Sequence, residues 1–247
     1  MKLLYFTATG NCLYVAKQFG GENYSIPKLL KEEQFTIEAD KIGIIFPIFN
    51  LSVPKLIEDF LGKVTLKSNY IFAVATYGMF AGGAVRHLVE MGKRNGIHFS
   101  YINELVMVDN FLPGFDMKKQ VNDQGRKHID ENLNEILRDV KANRLYIKKH
   151  SIITEPLRKL GSLMESERFE KDFRTEDSCN GCKTCEKVCP VDNIKVEKKP
   201  AFYQNCQRCL ACIQNCPQKA IHHTKEKSSE RFRNEHISLK EIVNANQ

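Results

Sequence analysis

Eight of the nine cysteines fall between Cys179 and Cys216, in two copies of one pattern. The first copy runs Cys179-Asn180-Gly181-Cys182-Lys183-Thr184-Cys185-Glu186-Lys187-Val188-Cys189-Pro190. The second runs Cys206-Gln207-Arg208-Cys209-Leu210-Ala211-Cys212-Ile213-Gln214-Asn215-Cys216-Pro217, so equivalent cysteines stand 27 residues apart. Both copies read C-x2-C-x2-C-x3-C-P, a spacing of thiolates that ligate cubane iron–sulfur clusters. Three thiolates at steps of three on a tight loop reach three corners of a cube. The fourth is expected at the start of a short helix, with proline in the first helical position. It points away from its own loop and so ligates the other cluster. One [4Fe-4S] cluster is thereby assigned to Cys179, Cys182, Cys185 and Cys216, and a second to Cys206, Cys209, Cys212 and Cys189. Val196, Ala201 and Ile221 are the apolar residues expected to shield them. A structural zinc site pairs two C-x2-C knuckles and does not call for three ligands in one run, duplicated. A disulfide framework suits a secreted chain, and the N-terminal residues do not read as a signal peptide.

The repeat resembles the bacterial-type two-cluster ferredoxins of anaerobes. It must be carried by a small unit of loops and short elements, expected over residues 174–224.

The other residues able to do chemistry sit in loops that follow apolar strands. Leu3-Leu4-Tyr5-Phe6 reads as a buried parallel strand and leads into Thr7-Ala8-Thr9-Gly10-Asn11-Cys12. Leu13, Ala16 and Phe19 then recur on one helical face. A second strand, Ile42–Phe46, ends at Pro47-Ile48-Phe49-Asn50, and a helix is expected from Pro54 to Leu61. A third strand, Tyr70–Thr76, ends in Tyr77-Gly78-Met79-Phe80-Ala81-Gly82-Gly83, with a helix over Ala84–Arg94. Another strand lies in Ile97–Val108, and a weak one near Tyr24–Ile26 brings the count to five. Strands alternating with helices imply an α/β fold with a doubly wound parallel sheet. Ligands of such sheets bind beyond the carboxyl ends of the strands. The first loop carries hydroxyls and free amides at a helix N-terminus, a ready anion site. With no Lys or Arg in Thr7–Cys12, a phosphate there is held by amides, hydroxyls and the helix dipole.

Thr7-Ala8-Thr9-Gly10-Asn11 after an apolar strand resembles the FMN phosphate loop of flavodoxins, with Cys12 where flavodoxins usually carry Thr or Ser. The resemblance covers residues 1–149 and implies a flavodoxin-like five-stranded sheet. It places FMN against Thr7, Ala8, Thr9, Gly10, Asn11, Cys12, Pro47, Ile48, Phe49, Asn50, Thr76, Tyr77, Gly78, Gly82 and Gly83, with Phe49 and Tyr77 as walls for the ring. Asn110-Phe111-Leu112-Pro113-Gly114-Phe115 is similar to the segment after the last strand. The whole chain resembles the flavodoxin–ferredoxin fusion proteins of anaerobic bacteria and archaea.

The remaining segments are less informative. Ile129, Leu133, Ile136, Leu137, Val140 and Ile147 recur at helical spacing, so one long helix is expected over 122–149. Residues 150–173 read as a helical connector, with Leu157, Leu160, Leu163 and Met164 on one face. The polar tail, 225–247, has a weak helical signal at Ile237–Val243; it either frays or covers a cluster face. Cys12 has no cysteine partner in sequence and reads as a small filler at the loop. His222 and His223 sit in a strand, so their side chains point to opposite faces; surface placement is expected.

The net charge of +7 belongs to the second half, since residues 1–117 carry 11 basic and 11 acidic side chains. The excess alternates with acids rather than clustering with aromatics, which argues against nucleic acid as a partner. A basic face suits an acidic redox protein. No apolar run approaches the ~18 residues that insertion into a membrane requires, and a cytoplasmic location is expected. The function expected is electron transfer between the two clusters and FMN, with external protein partners. The alternative is a ferredoxin-dependent flavin reductase acting on a small organic substrate. That reading needs a proton donor, and among Pro47–Asn50 and Thr76–Gly83 only Tyr77 offers one. A homodimer is a second way to bring the cofactors close.

Overall fold

The computed structural model describes residues 1–149 and 168–247. The N-terminal strands are β1 (Lys2–Tyr5), β2 (Glu22–Ser25), β3 (Phe35–Glu38), β4 (Lys41–Pro47), β5 (Val64–Lys67), β6 (Tyr70–Tyr77), β7 (Tyr101–Val106) and β8 (Tyr146–Ile147). Six of them form one parallel sheet in the order β2-β1-β4-β6-β7-β8. The apolar runs sit where a two-faced core needs them. Ile42, Ile44, Ile45 and Phe46 of β4 and Phe72 to Ala75 of β6 are fully buried, as expected when both faces of a parallel sheet are covered. Strand order reverses at β1, so the loops after β1 and β4 diverge and leave a crevice at the carboxyl edge.

In the N-terminal unit two features differ from the sequence expectation. The sheet has six strands rather than five, because the expected long helix over 122–149 is broken. It becomes a helix at Met117–Asn122, a 3-10 turn at Gln124–Lys127, a helix at Ile129–Lys141 and strand β8. His128 and Asn143 adopt left-handed backbone conformations (φ 48° and 54°), which stop the helix at both ends. Tyr146 then donates its amide to Ser100 and its ring packs on Tyr101. The second difference is a separate parallel pair, β3 with β5. The expected connector over 150–173 falls mainly outside the described residues. Its last residues form a 3-10 turn, Phe169–Asp172, and the start of the next strand.

The C-terminal unit contains β9 (Phe173–Thr175), β10 (Ile194–Val196), β11 (Pro200–Phe202) and β12 (Ile221–His223), paired antiparallel as β9 with β12 and β10 with β11. Its backbone repeats as its sequence does. Gly181 and Arg208, Lys183 and Leu210, and Asp192 and Lys219 are each 27 residues apart, and all six have positive φ. The short helices, Thr184–Lys187 and Ala211–Gln214, carry the third cysteine of each run. They end before the fourth, so the expected helix start at Cys189-Pro190 and Cys216-Pro217 is not formed. The left-handed residues Asp192 and Lys219 turn the chain instead. Ala201 is exposed, because β11 turns Phe202 rather than Ala201 inward; Val196 and Ile221 are buried.

The tail does not fray; it packs against both units, with Phe232 in the core that holds Cys185, Cys189 and Cys212. Ser238 and Glu241 form a capping box for the helix Leu239–Asn246, a device that contributes roughly 1 kcal/mol. Ile237, Ile242 and Ala245 join the core of the N-terminal unit, and Glu241 pairs with Lys17 of the first helix, Asn11–Gln18. A second core joins Val108, Leu112 and Met117 to Phe173, Leu210, Ile213 and Phe232. The two units therefore share packed interfaces.

Candidate functional site

The eight repeat cysteines gather into two quartets. Cys179, Cys182, Cys185 and Cys216 line one small cavity with Val196 and Ile221. Cys189, Cys206, Cys209 and Cys212 line another with Phe173, Ile194, Phe202 and Leu210. The fourth cysteine of each run thus faces the three of the other. In both copies its sulfur accepts an amide hydrogen from four residues on, Asn193 to Cys189 Sγ (3.2 Å) and Ala220 to Cys216 Sγ (3.4 Å). Such bonds favour a charged sulfur. The quartets differ in depth. Cys182 is exposed, whereas Cys189, Cys209 and Cys212 are all buried. Burial, followed by the neighbouring sulfurs, pushes the Cys212 thiol well up. Three or four thiolates in one buried pocket are tenable only when a metal group neutralises them. Among the described residues, no three His, Cys, Asp or Glu side chains converge on the position of a single ion.

A third cavity, of about 540 Å³, lies at the carboxyl edge of the parallel sheet. Its walls include Thr7, Ala8, Thr9, Asn11, Cys12, Pro47, Ile48, Phe49, Asn50, Thr76, Tyr77 and Gly78. Gly10, Gly82 and Gly83, expected among them, do not line it. Gly10 backs onto Asn234 and Ile237, and Gly82 packs against Leu51, whose carbonyl accepts the amide of Gly83. The far wall comes from the C-terminal unit, including Phe169, Asp172, Arg208, Leu210 and His223. Leu210 lines both this cavity and the buried quartet.

The first loop presents donors. Thr7 Oγ1 accepts the amide of Gly10 (3.0 Å) and Thr9 Oγ1 accepts from Asn110 Nδ2 (2.7 Å), so both hydroxyl hydrogens remain available. Among the described residues, the amides of Ala8, Thr9, Asn11 and Cys12 meet no acceptor. Cys12 is buried with its sulfur 3.2 Å from Thr76 Oγ1, tying the loop to the end of β6. Burial pushes its thiol up to about 12, so it is protonated at neutral pH. In the native protein with its clusters intact, Cys12 will resist alkylation by iodoacetamide at pH 8. Denaturation will expose it, and mass spectrometry of the tryptic peptide reads the difference.

The loops after β6 and β7 are held by one cation. Lys127 Nζ donates to Gly78 O (2.9 Å), Met107 O (2.7 Å) and Gln120 Oε1 (3.3 Å). Beside it, burial raises the Asp109 carboxyl, against the Phe111 amide that donates to it and the Lys127 charge. Burial likewise raises the Tyr77 hydroxyl, with Glu104 adding to it.

His223 overturns the expectation of surface placement. It is 2% exposed and packed between Phe169 and Phe173, because β12 pairs with β9 and turns this face inward. His222, on the opposite face, pairs with Glu226. His223 Nδ1 accepts the amide of Lys225 (3.1 Å), so the neutral ring carries its hydrogen on Nε2. That atom has no hydrogen-bond partner among the described residues, with Asp172 3.9 Å away. Burial lowers the pKa of His223. The sequence reading missed Asp109, Asp172 and His223. Asp109 follows β7 and was open to the strand-end rule; the other two enter the site only through the docking of the two units.

Comparison with known proteins bears on one part of the chain. Over 67 residues the chain is 42% identical to a protein of Methanosarcina acetivorans named as a subunit of an ion-translocating oxidoreductase complex. That stretch covers 26% of this chain and 25% of the relative, so the chain spans about a quarter of the relative's length. A solved structure, a "Putative flavoprotein" from Bacteroides uniformis, aligns with 48% of this chain and 92% of its own at 18% identity and a TM-score of 0.35; so distant a likeness carries no argument. Residues 171–217 match the family described as the 4Fe-4S dicluster domain. The repeat from Cys179 to Cys216 is therefore a 4Fe-4S dicluster ferredoxin domain.

Proposed function

We propose that the chain is an electron-transfer protein that links two [4Fe-4S] clusters to FMN held in the cavity between its two units. The observation that carries this reading is Leu210, which lines both the buried quartet and the 540 Å³ cavity. The quartet with Cys182 at the surface is the natural contact for an external donor; the deeper quartet is the one that shares a lining residue with the cavity. The ligand sets are Cys179, Cys182, Cys185 and Cys216 for the outer cluster and Cys189, Cys206, Cys209 and Cys212 for the inner one. The relative named as part of an oxidoreductase complex supports protein redox partners. Among the described residues no helix is long and apolar enough to cross a membrane.

The cavity suits FMN. Its volume lies within the ~300–1,000 Å³ range of small-molecule sites. The unpaired amides of Ala8, Thr9, Asn11 and Cys12 and the hydroxyls of Thr7 and Thr9 are the donors for a phosphate. Phe49 and Tyr77 flank the ring. We read the parallel sheet as flavodoxin-like with an added edge strand, the ligand lying at the reversal of strand order between β1 and β4. Bound FMN supplies the ability to take up one or two electrons. The chain's part is to position it, keep it from water, and set charge and hydrogen bonds around it.

The second reading, a flavin reductase, gains from the structure. Asp109 and His223, both in the cavity wall, add ionisable side chains to the Tyr77 hydroxyl of the sheet loops. Anaerobic purification tests the main reading: about eight irons, eight sulfides and one FMN per chain are expected. Zinc in place of iron sinks the clusters. Iron without flavin, and no uptake of added FMN, sinks the cavity assignment.

A further inference from the structure

The first loop does not hold its shape alone. Three successive carbonyls, those of Thr7, Ala8 and Thr9, all accept hydrogen bonds from the second half of the chain. Asn246 Nδ2 donates to Thr7 O (3.4 Å), Asn215 Nδ2 to Ala8 O (3.0 Å), and the Asn234 amide to Thr9 O (2.8 Å). A peptide unit is planar and trans, so its C=O and N–H point in opposite directions. Fixing Thr7 O therefore turns the Ala8 amide the other way, and fixing Ala8 O turns the Thr9 amide. These are two of the unpaired donors of the cavity wall.

Asn215 and Asn246 are braced alike. Each donates its other amide hydrogen to the carbonyl four residues back, Ala211 O (2.9 Å) and Ile242 O (3.0 Å). Each leaves its Oδ1 buried and unpaired among the described residues. A buried acceptor without a partner is a cost that a donor-only role explains. Asn234 completes the clamp, its Nδ2 donating to Asn11 Oδ1 (3.2 Å) while Asn11 Nδ2 donates to Val108 O (3.2 Å). All four asparagines are at least nine-tenths buried. Asn215 also directly precedes Cys216, so the clamp is continuous with a cluster ligand.

We propose that Asn215, Asn234 and Asn246 lock the peptide planes of Thr7–Gly10 into an anion-binding form, so that the N-terminal unit selects a phosphate monoester only while the C-terminal half is folded against it. This rests on the flavin reading above. The clamp acts on the phosphate and not on the ring, so FMN and riboflavin will respond differently.

The test uses the full chain with its clusters loaded, titrated with FMN and with riboflavin by flavin fluorescence. The double variant Asn215→Ala/Asn246→Ala is expected to weaken FMN at least about tenfold, a loss of ~1.4 kcal/mol, and riboflavin by less than about twofold. Riboflavin binding and the visible absorption of the clusters report that the variant is folded; should it not fold, each single variant carries the same test. A wild-type chain that binds neither flavin refutes the flavin reading itself. A wild-type chain that binds FMN, with variants that keep its preference for FMN over riboflavin, overturns the clamp alone.

Discussion

Replacing Cys189 with alanine will empty the inner cluster site and spare the outer one, so iron will fall from about eight to about four per chain. The expectation comes from where the sulfur lies. Cys189 follows the first run in sequence, yet its side chain faces Cys206, Cys209 and Cys212. It is buried and accepts the Asn193 amide, so no solvent ligand replaces it easily. The mirror variant, Cys216→Ala, will empty the outer site. Electron paramagnetic resonance of the reduced protein, with iron analysis, distinguishes the two. Loss confined to the Cys179–Cys185 site in Cys189→Ala would contradict the exchange of fourth ligands. In the proposed function that variant also severs the path at its middle. The outer cluster will still accept electrons from dithionite, but their arrival at the cavity will slow by orders of magnitude.

A single methyl group at Gly78 will cripple the cavity while leaving both clusters in place. A Cβ there would lie 2.0 Å from Asp109 Oδ2 and 2.3 Å from Asp109 Cβ. The Asp109 carboxylate is held by the Phe111 amide at 2.9 Å, and Gly78 O is held by Lys127. Neither loop can yield without breaking one of these bonds. Overpacking of this kind costs about 1–3 kcal/mol, and here the displaced atoms line the cavity. Gly78→Ala is expected to lower flavin affinity at least about tenfold, with iron content unchanged. Flavin titration beside iron analysis gives the answer. Undiminished flavin binding in a variant with a lowered Tm would mean that the ligand does not lie against the ends of β6 and β7.

The cysteine repeat was legible because each ligand is a residue type with few other uses, at spacings fixed by the size of a cube. The apolar strands were legible for a related reason. Leu3-Leu4-Tyr5 and Ile42–Phe46 are too uniformly apolar to be anything but buried on both faces. Local pattern failed where tertiary contact decides. Ile147 continues the helical period of Ile129–Val140, but left-handed Asn143 ends that helix and Ile147 pairs with Ile102 instead. His223 reads as polar and exposed until β9 covers it. The tail gives only a weak helical signal because its apolar residues are few: Ile237, Ile242 and Ala245 suffice only because a matching surface exists more than two hundred residues earlier. Asn215, Asn234 and Asn246 carry no sequence signal at all, since asparagine in a polar segment is ordinary. Their role arises from what they face.

The contacts between Ser25 and Ala245 and between Thr7 and Asn246 span 220 and 239 positions of the chain. During synthesis, β1 and its loop leave the ribosome long before their partners exist. Closing such distant contacts is slow, because loop-closure entropy must be met before any contact rewards it. Until Ile237 and Ile242 have been made, the patch of the N-terminal core that receives them has nothing to cover it. The helix Leu239–Asn246 works as a latch: it follows the cysteine repeat in the chain, so its docking reports that the repeat has already been made.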